Sequence, residues 1–387
     1  MKKSLALSIK TSISGLAALA FWSGHGVALA VSHCVNGPPI DETVLNASLS
    51  NRSLRPCSLT TDPNCNNPGQ QPHEVFWNSD LLGTGDLEDE LVVVFPGSRQ
   101  NPSNLTWIGK ASAYAGYRTI VLAYEGDRLE DVANNCSTDY STCVREFRRD
   151  VILGNPVPSA ATDIHPANSV EQRLLDVLDH LHALNPADGW DTYRTGANLN
   201  HNEIIVSGFS LGSGHASFWA KIEQFAGVVT ISGPTDSECV DFPYDRSLHP
   251  GLYYPLGCTN TLAAWIRANN HDTPGSDRYG IFHRDEALFG KLDVLIRAWD
   301  SFGLPRLPGN HLVMDFTDAY DFTTQQPWPL TAEGHRFSFN SSYTGSCSAH
   351  QAAAADGCLE IDPGNSNLPL VFPMYMNLYC AAGDDLI

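Results

Sequence analysis

The stretch that most constrains the fold is EIIVSGFSLGSGHASFWAK, which runs from Glu203 to Lys221. It opens with a short apolar run that is typical of a buried strand, and it closes with a predicted helix. Between the two lies a G-x-S-x-G sequence from Gly208 to Gly212, with Ser210 at its centre. A serine on so tight a turn needs glycine on both sides, because larger side chains would clash with the neighbouring elements. We therefore predict that Ser210 is a nucleophile; the alternative is an inert glycine-rich turn.

The alternation of strand and helix continues on both sides of this turn. Short apolar or β-branched runs predict strands at Glu90–Phe95, Tyr117–Tyr124, Glu203–Ser207, Gly227–Ser232, Arg278–His283 and His335–Phe339. The apolar spacing between Asn168 and Pro186 predicts an amphipathic helix that Asn168 or Ser169 caps. Together these patterns favour an α/β fold, a mostly parallel, doubly wound sheet with helices on both faces. In such sheets the chemistry lies beyond the carboxyl ends of the strands.

Three segments do not follow this alternation. Residues 31–75 are rich in Pro, Asn and Cys, and we expect an irregular, disulfide-tied N-terminal segment there. Residues 125–168 and 234–277 are too long for simple connections, so we interpret them as insertions in a single domain of residues 31–387. The second insertion includes the aromatic residues Tyr253, Tyr254 and Trp265. These side chains would either line a cleft or belong to the core.

The first thirty residues have the layout of a secretory signal peptide. Lys2 and Lys3 precede a mostly apolar stretch to about Phe21, and Ala28-Leu29-Ala30 provides an A-x-A cleavage signal. We therefore expect cleavage near Ala30 and a secreted or periplasmic mature protein. An N-terminal membrane anchor is the alternative, but polar and glycine residues interrupt the apolar stretch. No later segment has the length and apolar character of a membrane span.

The charge balance narrows the class of partner. The net charge is −20, and loss of residues 1–30, with their three lysines and no acid, would make it −23. Such an acidic surface disfavours nucleic acids and anionic membranes as partners. We expect a small-molecule or polymeric substrate and a monomeric protein. The spacing of cysteines and histidines predicts no zinc site, because neither C-x-x-C nor H-x-x-x-H occurs, and we expect no organic cofactor.

The ten cysteines all follow residue 30. An even count in an exported chain favours disulfides. Close spacing suggests the local pairs Cys57–Cys65, Cys136–Cys143, Cys239–Cys258 and Cys347–Cys358, with Cys34 and Cys380 joining the two ends of the chain. Spacing alone does not fix this connectivity.

The Ser210 turn, the order of strands and helices, and the Pro96-Gly97-Ser98 turn after an early strand together resemble the α/β-hydrolase superfamily. The resemblance covers most of the chain from Glu90 to about Asp356. It implies the α/β-hydrolase fold and a nucleophilic serine whose partners follow in the chain order acid, then histidine. Phe209 stands where many esterases and lipases carry His or Glu, so the turn does not point to a narrow lipase family.

The histidine that this resemblance implies must follow the serine in the chain. The histidines beyond the predicted helix of the opening stretch are His249, His271, His283, His311, His335 and His350. We predict His350, because it follows the last predicted strand in a loop that Cys347 and Cys358 could fix. His335 begins that strand and His311 begins another apolar run, and both remain alternatives to His350, as does an ordinary loop position.

The acid should follow the strand that ends at His283. Asp285 and Glu286 come directly after it, and we predict Asp285, with Glu286 as the first alternative. Asp236, after the preceding strand, is a further alternative. Asp285 could also be a plain helix N-terminal acid that the helix dipole stabilises. We interpret His283 as a hydrogen-bonded core histidine.

An acyl intermediate would need two donors aimed at its oxyanion. We predict the backbone N–H of Leu211, the residue after the nucleophile, and the backbone N–H of Ser98 in the turn after Phe95. Arg99 is an alternative donor, and an ordinary turn is the alternative for Pro96-Gly97.

These features together predict a secreted serine hydrolase that cleaves carboxylic esters with a Ser-His-Asp triad, through an acyl-enzyme. A peptidase or amidase with the same triad is the first alternative, and a polyester depolymerase is a special case of the ester hypothesis. A non-catalytic binding protein that kept the fold is the alternative from a different class.

Overall fold

A sheet of nine described strands forms the centre of the protein, which we describe from a computed structural model. The structure describes residues 49–54, 71–82, 87–125, 140–154, 162, 164–239, 258–283, 286, 292–305, 312–315, 335–341, 347–361 and 368–383. The strands of this sheet are β1 (Leu49–Leu54), β2 (His73–Asn78), β3 (Leu91–Phe95), β4 (Arg118–Val121), β5 (Ile204–Phe209), β6 (Gly227–Ile231), β7 (Arg278–His283), β8 (Leu312–Asp315) and β9 (Arg336–Asn340). They lie side by side in the order β1-β2-β4-β3-β5-β6-β7-β9-β8.

Most of the sheet is parallel. Strand β2 runs antiparallel to both of its neighbours, β1 and β4. Every other neighbouring pair among the strands just named is parallel. The carboxyl ends of β3, β5, β6, β7 and β9 therefore meet along one edge.

The helices cover this sheet from both sides. They are α1 (Thr106–Tyr114), α2 (Tyr140–Leu153), α3 (Val170–Leu184), α4 (Leu211–Ile222), the single turn α5 (Ala264–Arg267), α6 (Leu292–Ser301) and α7 (Phe372–Ala382). Short 3₁₀ turns lie at Pro102–Asn104, Pro166–Asn168, Pro186–Asp188, Trp190–Tyr193, His201–Glu203, Gly275–Asp277, Gln351–Ala353 and Asp356–Cys358. Small two-stranded pairs join Ser237–Cys239 to Cys258–Leu262 and Arg194–Thr195 to Asn198–Leu199.

Side-chain alternation along the strands divides the core into two layers. In β3, Leu91, Val93 and Phe95 pack into one layer with α2, α3, α4 and α6. Val92 and Val94 point the other way and pack with α1 and α7. A strand that is buried on both faces reads as a continuous apolar run, which explains LVVVF. The expected α/β architecture, with helices on both faces of a mostly parallel sheet, is confirmed.

The predicted strands and the long predicted helix lie close to their expected positions. Strands β3, β4, β5, β6, β7 and β9 overlap the six apolar runs, although β4 is only four residues long. Helix α3 spans Val170–Leu184, and the Ser169 hydroxyl caps it by accepting a hydrogen bond from the Gln172 amide at 3.2 Å. The helix ends before Pro186, which cannot continue a helix with normal hydrogen bonding.

Regular structure also lies where the sequence predicted none. Strand β1 and the start of β2 fall within residues 31–75, which we expected to be irregular. Among the described strands, β1 lies at the edge of the sheet and pairs only with β2, and its sequence, LSNRSL, is polar with no apolar alternation. Helix α2 lies inside the predicted insertion of residues 125–168, but it packs in the main core through Val144, Phe147 and Val151.

One predicted cysteine pair is confirmed as a disulfide, and the other pairings stay predictions. Cys347 and Cys358 form a disulfide. Cys239 lies opposite Cys258 in the antiparallel pair of short strands. Cys143 and Cys380 are also disulfide-bonded. Cys34, Cys57, Cys65 and Cys136 lie outside the described residues, as does the predicted signal peptide of residues 1–30.

The strand order reverses beside β3. The chain passes from β3 to β4 on one side and later returns to β5 on the other side. In open α/β sheets, ligands bind in the crevice that such a reversal opens at the carboxyl ends of the strands. The register pairs Phe95 at the end of β3 with Gly208 near the end of β5, so the segments that follow these two strands are neighbours.

None of the helices in the described ranges has both the length and the apolar character needed to cross a membrane.

Candidate active site

Ser210 occupies a sharp turn between β5 and α4. Strand β5 ends at Phe209 and helix α4 begins at Leu211, so a single residue makes the connection. Its backbone has φ 55° and ψ −115°, a combination that a residue with a side chain rarely adopts. The Ser210 amide donates to the carbonyl of Ile231, the last residue of β6, at 2.9 Å. This bond to the neighbouring strand helps to hold the strained conformation in place.

Gly208 and Gly212 make this turn possible. A Cβ atom at Gly208 would overlap the Gly212 carbonyl group and lie 2.7 Å from the Ser213 nitrogen. A Cβ atom at Gly212 would overlap the carbonyl oxygen of Phe95 and lie 2.5 Å from that of Pro96. These obstacles are backbone atoms, which cannot rotate away. The two glycines are therefore required by close approach of α4 to the ends of β3 and β5.

His350 lies against the Ser210 side chain. Its Nε2 atom is 2.7 Å from the Ser210 Oγ atom. The histidine belongs to the loop that the Cys347–Cys358 disulfide closes, and it immediately precedes the 3₁₀ turn Gln351–Ala353. The Phe209 ring packs on the imidazole with 4.8 Å between the ring centroids. Phe209 thus supports the histidine from the side.

Glu286 provides the carboxylate on the far side of the imidazole. Its Oε1 atom is 2.6 Å from His350 Nδ1, and its Oε2 atom accepts a hydrogen bond from the Ser232 hydroxyl at 2.6 Å. The Glu286 amide donates to the His283 carbonyl at 2.9 Å, which ties the residue to the end of β7. Only 6% of the Glu286 side chain is exposed. A buried carboxylate with partners on both oxygens has a fixed orientation.

This contact involves the alternative acid, while the catalytic role of either acid stays a prediction. Asp285 lies outside the described residues, and the carboxylate beside His350 belongs to Glu286, the alternative. The two acids are adjacent after the same strand, so the sequence pattern could not decide which of them faces the histidine. Asp236, the other alternative, lies elsewhere, because its carboxylate binds the Arg148 guanidinium and the Trp265 indole.

The turn after β3 lies directly beside the serine. The Gln100 amide donates to the Gly97 carbonyl at 3.1 Å, and Arg99 has φ 59°, as the third residue of a type II turn requires. A Cβ atom at Gly97 would lie 3.2 Å from the Ser210 Cβ atom, so the turn lies close to the Ser210 side chain. The turn therefore brings Ser98 and Arg99 to the neighbourhood of Ser210. The oxyanion role of the Ser98 and Leu211 amides stays a prediction.

Sequence reasoning missed Ser232. This residue follows β6 directly and has φ 54°, so it shares with Ser210 a backbone conformation that is rare outside glycine. Its amide donates to the Ile281 carbonyl at 2.8 Å while its hydroxyl holds Glu286. The only sequence signal was its place at the carboxyl end of a predicted strand, which many residues share.

The other histidine candidates have structural surroundings. His335 is buried, with Nδ1 3.1 Å from the Arg278 carbonyl oxygen and its ring stacked on Tyr279. His283 is buried and its Nε2 lies 3.1 Å from the Ser341 backbone nitrogen, which confirms its interpretation as a core histidine. His311 lies outside the described residues.

Of the aromatic residues named above in the second insertion, the structure describes Trp265. Trp265 is buried in the core and donates from Nε1 to the Asp236 carboxylate at 3.1 Å. It therefore does not line an open cleft. Tyr253 and Tyr254 lie outside the described residues.

The arrangement as a whole is one continuous row of hydrogen bonds. It runs from the Ser210 hydroxyl through both nitrogens of His350 to the Glu286 carboxylate and on to Ser232. Such a row can move a proton from the hydroxyl to the imidazole and stabilise the imidazolium that forms. Over the described residues, no group of three or more His, Cys, Asp or Glu side chains is placed to hold a metal ion.

Neither the known protein families nor the curated proteins contain a match to this chain.

Proposed function

We propose that this protein is a serine hydrolase of the α/β-hydrolase fold that cleaves carboxylic esters through an acyl-enzyme intermediate. One observation carries the proposal: Ser210, on a strained strand-to-helix turn, is joined to Glu286 through both ring nitrogens of His350 at 2.7 and 2.6 Å. A serine hydroxyl is a poor nucleophile unless a base takes its proton and an acid orients the base. These three side chains meet that requirement.

The chain order and the position in the sheet support the same fold family. The order is Ser210, Glu286, His350, which is the order serine, acid, histidine of α/β hydrolases. The serine follows a central parallel strand and precedes a helix, and the turn between β3 and α1 lies beside it. In that fold, the loop after the third strand supplies the second oxyanion donor.

Acylation begins when Ser210 Oγ attacks the ester carbonyl carbon. His350 Nε2 takes the hydroxyl proton, and Glu286 stabilises the resulting imidazolium through Nδ1–H. The carbonyl π electrons move to oxygen and form a tetrahedral oxyanion. When the intermediate collapses, the bond to the alcohol oxygen breaks, and His350 returns its proton to the leaving alcohol. The products of this half-reaction are the alcohol and an ester on Ser210.

Deacylation repeats these steps with water. His350 takes a proton from the water molecule as its oxygen attacks the acyl carbon, and a second tetrahedral oxyanion forms. Its collapse breaks the bond to Ser210 Oγ, which recovers the proton from His350. The carboxylic acid leaves and the side chains return to their starting state.

Both oxyanions need donors that are already in position. Leu211 is the first residue of α4, where backbone N–H groups have no intrahelical acceptor and the helix dipole favours negative charge. We propose the Leu211 amide as one donor and the Ser98 amide as the other. The closeness of Gly97 to the Ser210 side chain supports this pairing.

We further propose that the protein acts outside the cytoplasm. The Cys347–Cys358 disulfide closes the loop that carries His350, and disulfides persist in oxidising compartments. The signal-like N-terminal sequence supports the same proposal.

The test uses purified protein on a panel of p-nitrophenyl esters of increasing acyl length, with matched p-nitroanilides. Wild type should hydrolyse at least one ester, and Ser210→Ala should lose at least about 10³-fold in kcat. Faster turnover of the anilides than of the esters would replace the proposal with the amidase alternative. Ester turnover that survives Ser210→Ala would overturn it.

A further inference from the structure

Arg148 reaches the catalytic turn from a different part of the fold. It lies on α2, and only 3% of its side chain is exposed. Its Nη1 atom donates to the carbonyl oxygen of Leu211 at 2.9 Å. That carbonyl belongs to the peptide unit next to the one whose N–H we propose as an oxyanion donor. The two peptide units share the Leu211 Cα atom, so fixing one limits the rotation of the other.

Asp236 holds the guanidinium in this position. Its two oxygens accept from Arg148 Nε at 2.9 Å and from Nη2 at 2.8 Å, a bidentate pair. The Trp265 indole N–H adds a third bond to the same carboxylate at 3.1 Å. A planar guanidinium that donates two hydrogen bonds to one carboxylate has a fixed orientation, whereas a lysine ammonium could rotate away.

Gly214 leaves the space that the guanidinium fills. A Cβ atom at this position would overlap Arg148, with Nη1 at 2.7 Å. Gly214 is a helical residue with no need of positive φ, so close approach by Arg148 accounts for the glycine. The serine turn alone does not explain why Gly214, the second glycine of SLGSGHA, is a glycine. The position of the Arg148 guanidinium does explain it.

Stability alone is a weak reason for such an arrangement. Burying two charges costs desolvation energy that their attraction often only offsets, and apolar replacements of buried pairs are frequently neutral. The pair does supply a fixed geometry at the start of α4, directly after the nucleophile. It also links three elements of the fold, namely helix α2, the segment after β6 and the helix that carries the catalytic turn.

We propose that Arg148 and Asp236 are positioning residues that hold the Leu211 peptide in the orientation needed to stabilise the oxyanion. This inference rests on the proposed function, because it assigns a role in the same reaction. Neither residue touches the reacting atoms. Their contribution is made in the transition state, where the oxyanion exists, and not in the binding of the ground-state ester.

Loss of this positioning should lower kcat and leave KM nearly unchanged. Loss of one oxyanion donor typically lowers kcat about 10²- to 10³-fold, and a misplaced donor should lose less. We expect Arg148→Lys to lower kcat by about 10- to 100-fold while KM changes less than about threefold. The lysine keeps the charge beside Asp236 but cannot grip Asp236 and Leu211 together.

Arg173→Lys is the matched control. Arg173 has the same side-chain exposure of 3% and pairs with Glu125 at 2.9 Å, but its other bonds reach the Asn168 and Ala123 carbonyls. Kinetics are measured on the best p-nitrophenyl ester, with active sites counted by titration with a fluorophosphonate. Counting sites removes any loss that comes from misfolded protein. Per active site, Arg173→Lys should keep the wild-type kcat even if its Tm falls.

A second readout separates positioning from general damage. A boronic acid that matches the ester accepts Ser210 Oγ at boron and becomes a tetrahedral anion like the oxyanion of the reaction. Its affinity for Arg148→Lys should therefore fall in parallel with kcat/KM. Asp236→Asn should act in the same direction, and the double variant should lose less than the product of the two single losses. Asp236→Asn also serves as the test if Arg148→Lys does not fold.

The outcomes distinguish the two proposals. If wild type neither hydrolyses esters nor reacts with the fluorophosphonate, the proposed function fails. If wild type is active and the per-site kcat and boronate affinity of the folded Arg148→Lys and Asp236→Asn variants equal those of wild type, the positioning role is overturned. A loss confined to Tm in these variants would overturn the positioning role as well.

Discussion

Two serines with unusual backbone conformations lie at the two ends of the hydrogen-bonded row that also contains His350 and Glu286. Ser210 and Ser232 both have positive φ, at 55° and 54°, and both follow neighbouring parallel strands directly. Ser210 presents its hydroxyl to His350, and Ser232 presents its hydroxyl to Glu286. Positive φ in residues with a side chain costs free energy, and it persists where the surrounding structure enforces it. Here the strain fixes the two ends of one hydrogen-bonded row.

Substituting each of the two adjacent acids tests which of them acts on His350. Glu286→Gln keeps the size of the side chain but removes the charge that orients and stabilises the imidazolium, so kcat should fall about 10²- to 10⁴-fold. Asp285→Asn is the neighbouring control and should stay within about threefold of wild type. Steady-state ester hydrolysis measures both. The reverse ranking of the two variants would return the role to Asp285.

Ser210 and His350 of the hydrogen-bonded row were the first choices from the sequence, whereas Glu286 was only an alternative, and the reason is local. Ser210 has a turn that constrains both of its neighbours, and His350 has a disulfide around it. Asp285 and Glu286 are adjacent, chemically similar and preceded by the same strand. The choice between them depends on the path of the chain after His283, which no local pattern records.

The elements were predictable where burial leaves a clear pattern. Central strands such as β3 and β5 are buried on both faces and read as apolar runs, while helix α3 has both a cap and a proline stop. Strand β1 and helix α2 were missed. The first is a polar edge strand, and five of the fourteen residues of the second are charged, which hides its apolar face in the sequence. Their positions depend on tertiary packing that the local sequence does not display.

The close contact between α4 and β3 predicts that one added methyl group at Gly212 will destabilise the folded protein. Gly212→Ala would drive a Cβ into the Phe95 and Pro96 carbonyl oxygens, so helix and strand must separate. We expect a loss of about 3 kcal/mol in the free energy of unfolding, together with loss of ester hydrolysis. Denaturant unfolding measures the first effect. Gly357→Ala is the control, because its Cβ would meet nothing within 4 Å. Equal stability of the two variants would refute the close approach.

At the scale of the whole molecule, the sheet order brings distant residues to one edge. Pro96, Ser210, Ser232 and Glu286 follow four adjacent strands, β3, β5, β6 and β7, and His350 comes from the loop after β9. Residues up to 140 positions apart thus share one hydrogen-bonded row. The order in which the strands pair was not readable from the sequence, which predicted parallel strands but not their neighbours.

Buried histidines give the whole molecule a pH-dependent stability. Burial, and to a lesser extent the Arg148 charge, hold the pKa of His215 well below 6.5, and burial followed by the Arg173 charge does the same for the pKa of His73. The neutral form of His73 is also needed because its Nδ1 accepts from the Ala123 amide. Since the unfolded chain takes up these protons first, this stability is present above about pH 6.5 and is lost as the pH falls.

His215→Leu isolates one of these groups. His215 is fully buried against Tyr124 and Phe147, and neither ring nitrogen has a hydrogen-bond partner within the described part of the chain. Between pH 6 and 5, the variant should lose unfolding free energy less steeply than wild type, by about 1.4 kcal/mol per pH unit. Denaturant unfolding at a series of pH values measures the slope. Identical slopes would mean that His215 does not stay neutral in the folded protein.

The central claim is that Ser210 is a nucleophile activated by His350 and Glu286. The most direct measurement is covalent labelling of the purified protein with a fluorophosphonate, followed by mass spectrometry of its peptides. We predict one phosphonate per molecule, on Ser210, with no label on Ser210→Ala and slow labelling of His350→Ala. Absence of label on wild type, or a phosphonate on another residue that Ser210→Ala leaves unchanged, would contradict the account.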